Sequence, residues 1–314
     1  MKKQLLILTK NTTMKRLLFV LAFILLCLPM IGFGQNVNIP DALFKAYLVG
    51  NSLINTNGDS EIQVSEATAF NGSISCASSN ISDLTGIEDF TALTYLNCFN
   101  NQLTSLNVSG ATALEYLDCG VNQLTSLDVS NNIALTELVC GYNQLTSLDL
   151  SNNISLGELD CNNNQLTSLD VSQNTNLWSL ECQSNLLECL NISNNPDLTE
   201  VNFQSNLLEQ LNLKNGNWSI LDPNALSNNL TCVEVDNIGY ATNNWAVGFD
   251  SFVTFSTNCN YTNPCNTNTA IQEHTTNKKL LKVTDLLGRE TKQTNQPLLY
   301  LYDNGTVEKR IVIE

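Results

Sequence analysis

The sequence predicts a repeat solenoid, mostly β, in which each 21-residue turn supplies one short parallel strand. Three observations predict it. Six consecutive copies of one pattern stand in register, beginning at Leu93, Leu114, Leu135, Leu156, Leu177 and Leu198. A cysteine recurs at one place in the copies, at Cys76, Cys98, Cys119, Cys140, Cys161 and Cys182. An asparagine recurs at another, at Asn101, Asn122, Asn143, Asn164, Asn185 and Asn206. Like residues at a fixed period are what turns stacked on one another require.

The elements follow in order. Residues 1–34 read as an export signal: Lys15 and Arg16 precede "LLFVLAFILLCLPMIGFG", which ends in small residues. Pro29 and Gly32 interrupt that run, which falls short of the ~20 apolar residues a spanning helix needs. The expectation is cleavage near Gly34 and a mature chain with no transmembrane segment. Residues 35–72 predict a small helical N-terminal cap, with "IPDALFKAYLVGNSLI" as its helix. Next, "NTNGDSEIQVSE" resembles an EF-hand calcium loop. In that register Asn55, Asn57, Asp59, the Glu61 carbonyl, Gln63 and Glu66 take the ligand positions. An Asn in the first place and Ser60 where a Gly is usual weaken the resemblance, which implies at most a weak calcium site.

Residues 73–218 hold the repeats. The copies carry Leu-x-x-Leu-x-Cys-x-x-Asn-x-Leu, as in "LTYLNCFNNQL" and "LEYLDCGVNQL", with Val201 and Phe203 replacing Leu and Cys in the sixth. This pattern resembles the leucine-rich repeat. A divergent earlier copy, "ISCASSNISDLTGIEDFTA", resembles the internalin-type variety. The resemblance implies that the Asn side chains satisfy backbone groups at the turn after each strand. The second half of each copy, such as "LTSLDVSNN", predicts another extended stretch on the back. Seven strands would make a sheet roughly 30 Å long. The outward Asp128, Asp149 and Asp170 on that back read as solvated carboxylates.

The cysteine column reads as packing. Equivalent Cβ atoms on stacked strands stand about 4.8 Å apart, whereas a disulfide needs about 3.8 Å. A straight column cannot surround a metal tetrahedrally either. Residues 219–262 predict a C-terminal cap closed by a Cys232–Cys259 disulfide, with Cys265 as a competing partner and Cys189 as a free thiol.

A polar linker, residues 263–277, leads to residues 278–314, where the charge balance reverses. "VTDLLGRE", the 300–303 run and the ending "KRIVIE" resemble the C-terminal sorting domain of type IX secretion in Bacteroidetes. That family implies a small β-sandwich-like domain, recognition by the type IX machinery, and release or anchoring at the outer-membrane surface.

Composition narrows the function. The chain has 30 acidic and 14 basic residues, a net charge of −16, and residues 35–270 hold 24 of the acidic residues but only Lys45 and Lys214. Such a body repels phosphate backbones and anionic lipid, which excludes nucleic acid. His274 is the only histidine and lies in the linker, so no histidine-based triad or zinc site can form in the repeats. The outward strand positions predict no catalytic residue but a binding face: Tyr95, Phe99, Tyr116, Asp118, Glu137, Tyr142, Glu158, Asp160, Trp178 and Glu181. Exposed aromatics beside polar groups suit a protein or carbohydrate partner at a cell surface. The alternatives are a structural surface or matrix component without a ligand, and, third, a hydrolase working through paired carboxylates.

Overall fold

A computed structural model describes residues 34–261, Cys265 and three strands nearer the C-terminus. The chain forms two compact units, Met1–Cys265 and Asn266–Glu314. Residues 1–33, which hold all but the last residue of the expected export signal, and His274 lie outside the described residues.

In the first unit two helices cover the start of the solenoid. Helix α1 (Ala42–Val49) starts where Asp41 accepts hydrogen bonds from Leu43 N and Phe44 N, a side-chain cap for otherwise unpaired amides. Helix α2 (Val64–Ala69) carries a reciprocal cap between Gln63 and Glu66. Phe44, Leu48, Ile54 and Ile62 are fully buried beneath them.

Eight short parallel strands then form the front sheet in chain order. They are β1 (Ser73–Ser75), β2 (Tyr95–Asn97), β3 (Tyr116–Asp118), β4 (Glu137–Val139), β5 (Glu158–Asp160), β6 (Ser179–Glu181), β8 (Glu200–Asn202) and β10 (Asp222–Asn224). Their middle residues, Leu96, Leu117, Leu138, Leu159 and Leu180, align in register and are fully buried. Cys98 to Cys182 fill the next inward column and stay unbonded thiols. Each buried Leu contributes roughly 1.5–3 kcal/mol, and no turn can bury its own without a neighbour.

The front sheet therefore has one strand more than the seven expected, and the solenoid continues past residue 218. Strand β10 escapes sequence inspection because Pro223 sits at its centre and its pairing with β8 skips one extra residue. As an edge strand it tolerates a proline, and its outer side is closed where Ala225 N donates to Gly248 O.

Only the later turns build a paired back sheet: β7 (Cys189–Asn191), β9 (Gln210–Asn212), β11 (Cys232–Glu234) and β12 (Thr254–Ser256). In earlier turns successive copies also meet through a backbone bond just after the front-ladder asparagine, such as Gln123 N to Leu103 O. The end of the first unit lies over this sheet, and the Tyr261 hydroxyl donates to Cys232 O. Two disulfides pin it, Cys232–Cys259 and Cys189–Cys265, with Cα–Cα distances of 5.9 and 5.6 Å. Cys189 is thus not a free thiol: it faces outward on β7, where the returning chain brings Cys265 against it. Helix α3 (Ile238–Asn244) and edge-to-face contacts among Trp218, Tyr240, Trp245, Phe249 and Phe255 complete the end of the stack.

The second unit shows a three-stranded antiparallel sheet, β13 (Leu280–Asp285), β14 (Pro297–Tyr302) and β15 (Val307–Ile311).

Two asparagine ladders hold the turns. On the front, Asn122 Nδ2 donates to Cys98 O and Cys119 O while its Oδ1 accepts from Leu103 N. Asn143, Asn164, Asn185, Asn206 and Asn228 repeat this, each bonding both its own turn and the one before. On the back, Asn132, Asn153, Asn174 and Asn195 are fully buried and donate to two carbonyls each, but their Oδ1 atoms have no partner.

Candidate binding face

The residue before each front-ladder asparagine must turn the chain sharply, and it does so with positive φ. Asn100, Asn163, Ser184, Ser205 and Ser227 occupy this place, as polar residues that tolerate the left-handed region. Val121 and Tyr142 occupy it too, at φ 53° and 54°. There an ordinary side chain costs about 1–2 kcal/mol. Tyr142 is 58% exposed, so this conformation holds an aromatic ring out in solvent.

On the neighbouring strands Tyr95 and Tyr116 stack with ring centroids 4.3 Å apart and planes 5° from parallel. Their registered strands place equivalent side chains side by side. Phe99 is exposed on the loop that follows β2. It lies over Gly120, where a Cβ would stand 3.4 Å from its ring. Trp178 lies over Gly157 in the same manner, and the Asp160 and Asn162 side chains lie over Gly141. Missing side chains at three glycines let larger neighbours spread flat along the sheet, a feature the strand alternation does not reveal.

Farther along, Glu137 and Glu158 continue the column begun by Tyr95 and Tyr116, and Asp160 and Glu181 stand beside them on the third strand position. Burial, followed by Glu137, Glu200, Asp160 and Glu181, pushes the Glu158 carboxyl up. Burial also raises Asp160, against a hydrogen bond from Asn162 N, and raises Glu181 with Asp160 adding to it. The Tyr116 hydroxyl is pushed up by burial and then by Asp118, Tyr95 and Glu137. Among the described residues of the first unit both cations are engaged elsewhere: Lys45 is paired with Glu61, and Lys214 Nζ donates to Thr257 O.

All ten expected face residues thus lie along one surface, with Asp118 the exception in exposure. It points outward from β3 yet is only 8% exposed. Burial raises its carboxyl, countered by a hydrogen bond from Gly120 N and reinforced by Asp160. The Asp128, Asp149 and Asp170 carboxylates on the back are exposed, and each accepts from the backbone N of the serine two residues on.

The 55–66 loop closes on itself. Asn57 Nδ2 donates to Asp59 and Gln63, and Asn55 Oδ1 accepts from Gly58 N. Glu66 turns instead to the amides of Thr56, Asn57 and Gln63 and to the Thr56 hydroxyl. The Glu61 carboxylate pairs with Lys45 Nζ at 2.6 Å. Both Glu66 oxygens, which in a calcium loop would be the bidentate ligand, here accept hydrogen bonds from the protein. Among the described residues no three acidic, His or Cys side chains gather as a metal site.

The chain matches no protein-family model and no curated protein sequence. Among solved structures it is similar to the functional domain of InlJ from Listeria monocytogenes, described as including a cysteine ladder. That match has 29% identity and a TM-score of 0.43, covering 65% of this chain and 58% of that one. An internalin (inlF) of the same species matches at 20% identity and TM-score 0.56 over 72% of each chain. An internalin C2, also from Listeria monocytogenes, matches at 19% identity and TM-score 0.54 over 72% of this chain and 99% of that one. With the stacked parallel strands and the asparagine ladder, the last two show that the first unit has the leucine-rich-repeat solenoid fold of the Listeria internalins.

Proposed function

We propose that the chain is an exported recognition protein that holds a protein partner against the face of its eight-stranded sheet. The observation that carries this is the Tyr95–Tyr116 stack together with exposed Phe99, Tyr142 and Trp178 on that one surface. Aromatic clusters in water are uncommon on inert surfaces and frequent at interfaces. The internalin fold supports the reading, and the two disulfides fit an oxidising, extracellular setting. The leader at 1–34 and the sorting-domain resemblance of 278–314 support delivery to the outer surface by type IX secretion. No step of chemistry belongs to this reading.

The stacked tyrosines also favour a second reading, in which the partner is a glycan whose ring packs on them. One experiment serves both. The purified chain is screened against arrays of surface proteins and of glycans, with calcium and with chelator, beside a Tyr95/Tyr116/Tyr142→Ala variant. Saturable binding that falls roughly tenfold or more in the variant supports the face, and the array that responds names the class of partner. Loss only with chelator would move the site to the 55–66 loop. Binding that survives all three substitutions would refute the face.

A further inference from the structure

Asp118 is the carboxylate of the sheet face that the fold most nearly closes over. Only 8% of it is exposed. Gly120 N donates to its Oδ1 at 3.0 Å, and among the described residues no group donates to its Oδ2. The surroundings are aromatic and acidic. Phe99 Cδ2 and Asp118 Oδ1 approach the same point above Gly120, at 3.4 and 3.3 Å. Tyr116 precedes Asp118 by two residues and stacks on Tyr95, and Glu137 is the strand neighbour of Tyr116.

The Asp118 carboxylate is largely desolvated and its second oxygen, which still reaches the surface, has no protein donor, while the two basic side chains of the described body are engaged elsewhere. The group that completes the arrangement must carry positive charge, since Asp118, Glu137, Glu158, Asp160 and Glu181 lie along one face. It must also accept contact with ring faces and donate hydrogen bonds sideways to more than one carboxylate. An ammonium group is compact and strongly hydrated, and loses much on entering such a place. A planar guanidinium is weakly hydrated, stacks on tyrosine and phenylalanine rings, and donates from its edge. A sugar would use the rings but leave the carboxylates uncompensated.

We infer that Asp118, with the Tyr95–Tyr116 stack, Phe99 and Glu137, forms a subsite for an arginine side chain of a protein partner. This rests on the reading of the sheet face as a recognition surface and specifies the chemistry it selects. The row from Glu158 to Glu181 extends the same preference, so the partner presents a basic stretch running across the strands.

The test uses the full chain and two labelled peptides, an alternating arginine–glycine heptapeptide and its lysine counterpart, followed by fluorescence anisotropy at physiological salt. Saturable binding of the arginine peptide is expected, with the lysine peptide roughly fivefold or more weaker. Asp118→Asn keeps the acceptor for Gly120 N and so keeps the turn, yet should weaken the arginine peptide by about tenfold or more. Asp128→Asn removes an equal charge from the exposed back and should change binding by less than about twofold. Equal effects of the two substitutions, equal binding of the two peptides, or no saturable binding would each overturn the inference. A protein or glycan lost in the Tyr95/Tyr116/Tyr142→Ala variant but unaffected by Asp118→Asn would overturn it while leaving the face as a binding surface. Array binding indifferent to the tyrosines would remove both.

Discussion

Replacing Asn143 by alanine should destabilise the solenoid by about 3 kcal/mol, whereas the same change at Asn153 should cost only about 1 kcal/mol. Both side chains are buried and both belong to ladders; Asn143 donates to Cys119 O, Cys140 O and, at 3.3 Å, Gly141 O, and Asn153 donates to two carbonyls. The difference lies in what is left behind. Asn143 Oδ1 accepts from Leu124 N at 2.9 Å, so its loss strands a buried amide. A stranded donor costs about 1–3 kcal/mol. Cys119 O and Cys140 O each lose one of two bonds but keep another from Asn122 and Asn164. Asn153 presents the opposite case. Its carbonyl partners, Val129 O and Asn132 O, keep backbone bonds from Asn132 N and Leu135 N. Its own Oδ1 has no partner, so removing it takes away an unsatisfied group. What remains is the loss of packing. Urea unfolding of both variants, followed together by far-UV circular dichroism and tryptophan fluorescence, measures the contrast. Equal losses, or a larger loss at Asn153, would refute the assignment of the front ladder as the tie between turns.

Two further outcomes follow from the titrating groups. Burial pushes the Glu66 carboxyl up, but hydrogen bonds from Gln63 N, the Thr56 hydroxyl, Asn57 N and Thr56 N outweigh it, and the net displacement is downward. Its stabilisation is therefore present above the ordinary carboxylate range and lost as pH falls through the depressed folded value. Glu66→Gln should lower Tm at neutral pH and flatten the decline between about pH 5 and pH 2. Asp118 is raised, so its ionised form opposes folding at neutral pH and the penalty vanishes on acidification; Asp118→Asn should raise Tm at pH 7 and leave it nearly unchanged in acid. For the cysteine column, burial pushes the Cys76 thiol up to about 12 and the other five higher still or comparably. A disulfide-forming thiol reagent at pH 8, with sites mapped by mass spectrometry, should leave all six unmodified until urea is added. Labelling of any one in the native protein would contradict its placement in the core.

The parts of this fold legible in the sequence are those that translation along one axis generates. Leu117, Cys119 and Asn122 have the same neighbours as Leu138, Cys140 and Asn143, so one turn understood is every turn understood. The back ladder of Asn132, Asn153, Asn174 and Asn195 carries the same period and was equally open to inspection. Legibility ends where a position depends on a residue outside its own column. Pro223 is acceptable in a strand only because that strand is an edge, and Cys189 meets Cys265 only because the chain returns over the back sheet. Asp118 is buried where Phe99, from the turn before, lies beside it over Gly120, which no rule of alternation contains.

The Cys189–Cys265 bond has a mechanical consequence. It closes a covalent loop across a sequence separation of 76. Tension applied to the chain beyond Cys265 enters the solenoid at Cys189, and β8 to β12 with helix α3 lie outside the pulling line. At ~3.5 Å per extended residue, roughly 260 Å of contour is kept from lengthening under load. Within the first unit only the turns before Cys189 can yield to a pull, and a reductant would lengthen the molecule's reach by that hidden amount.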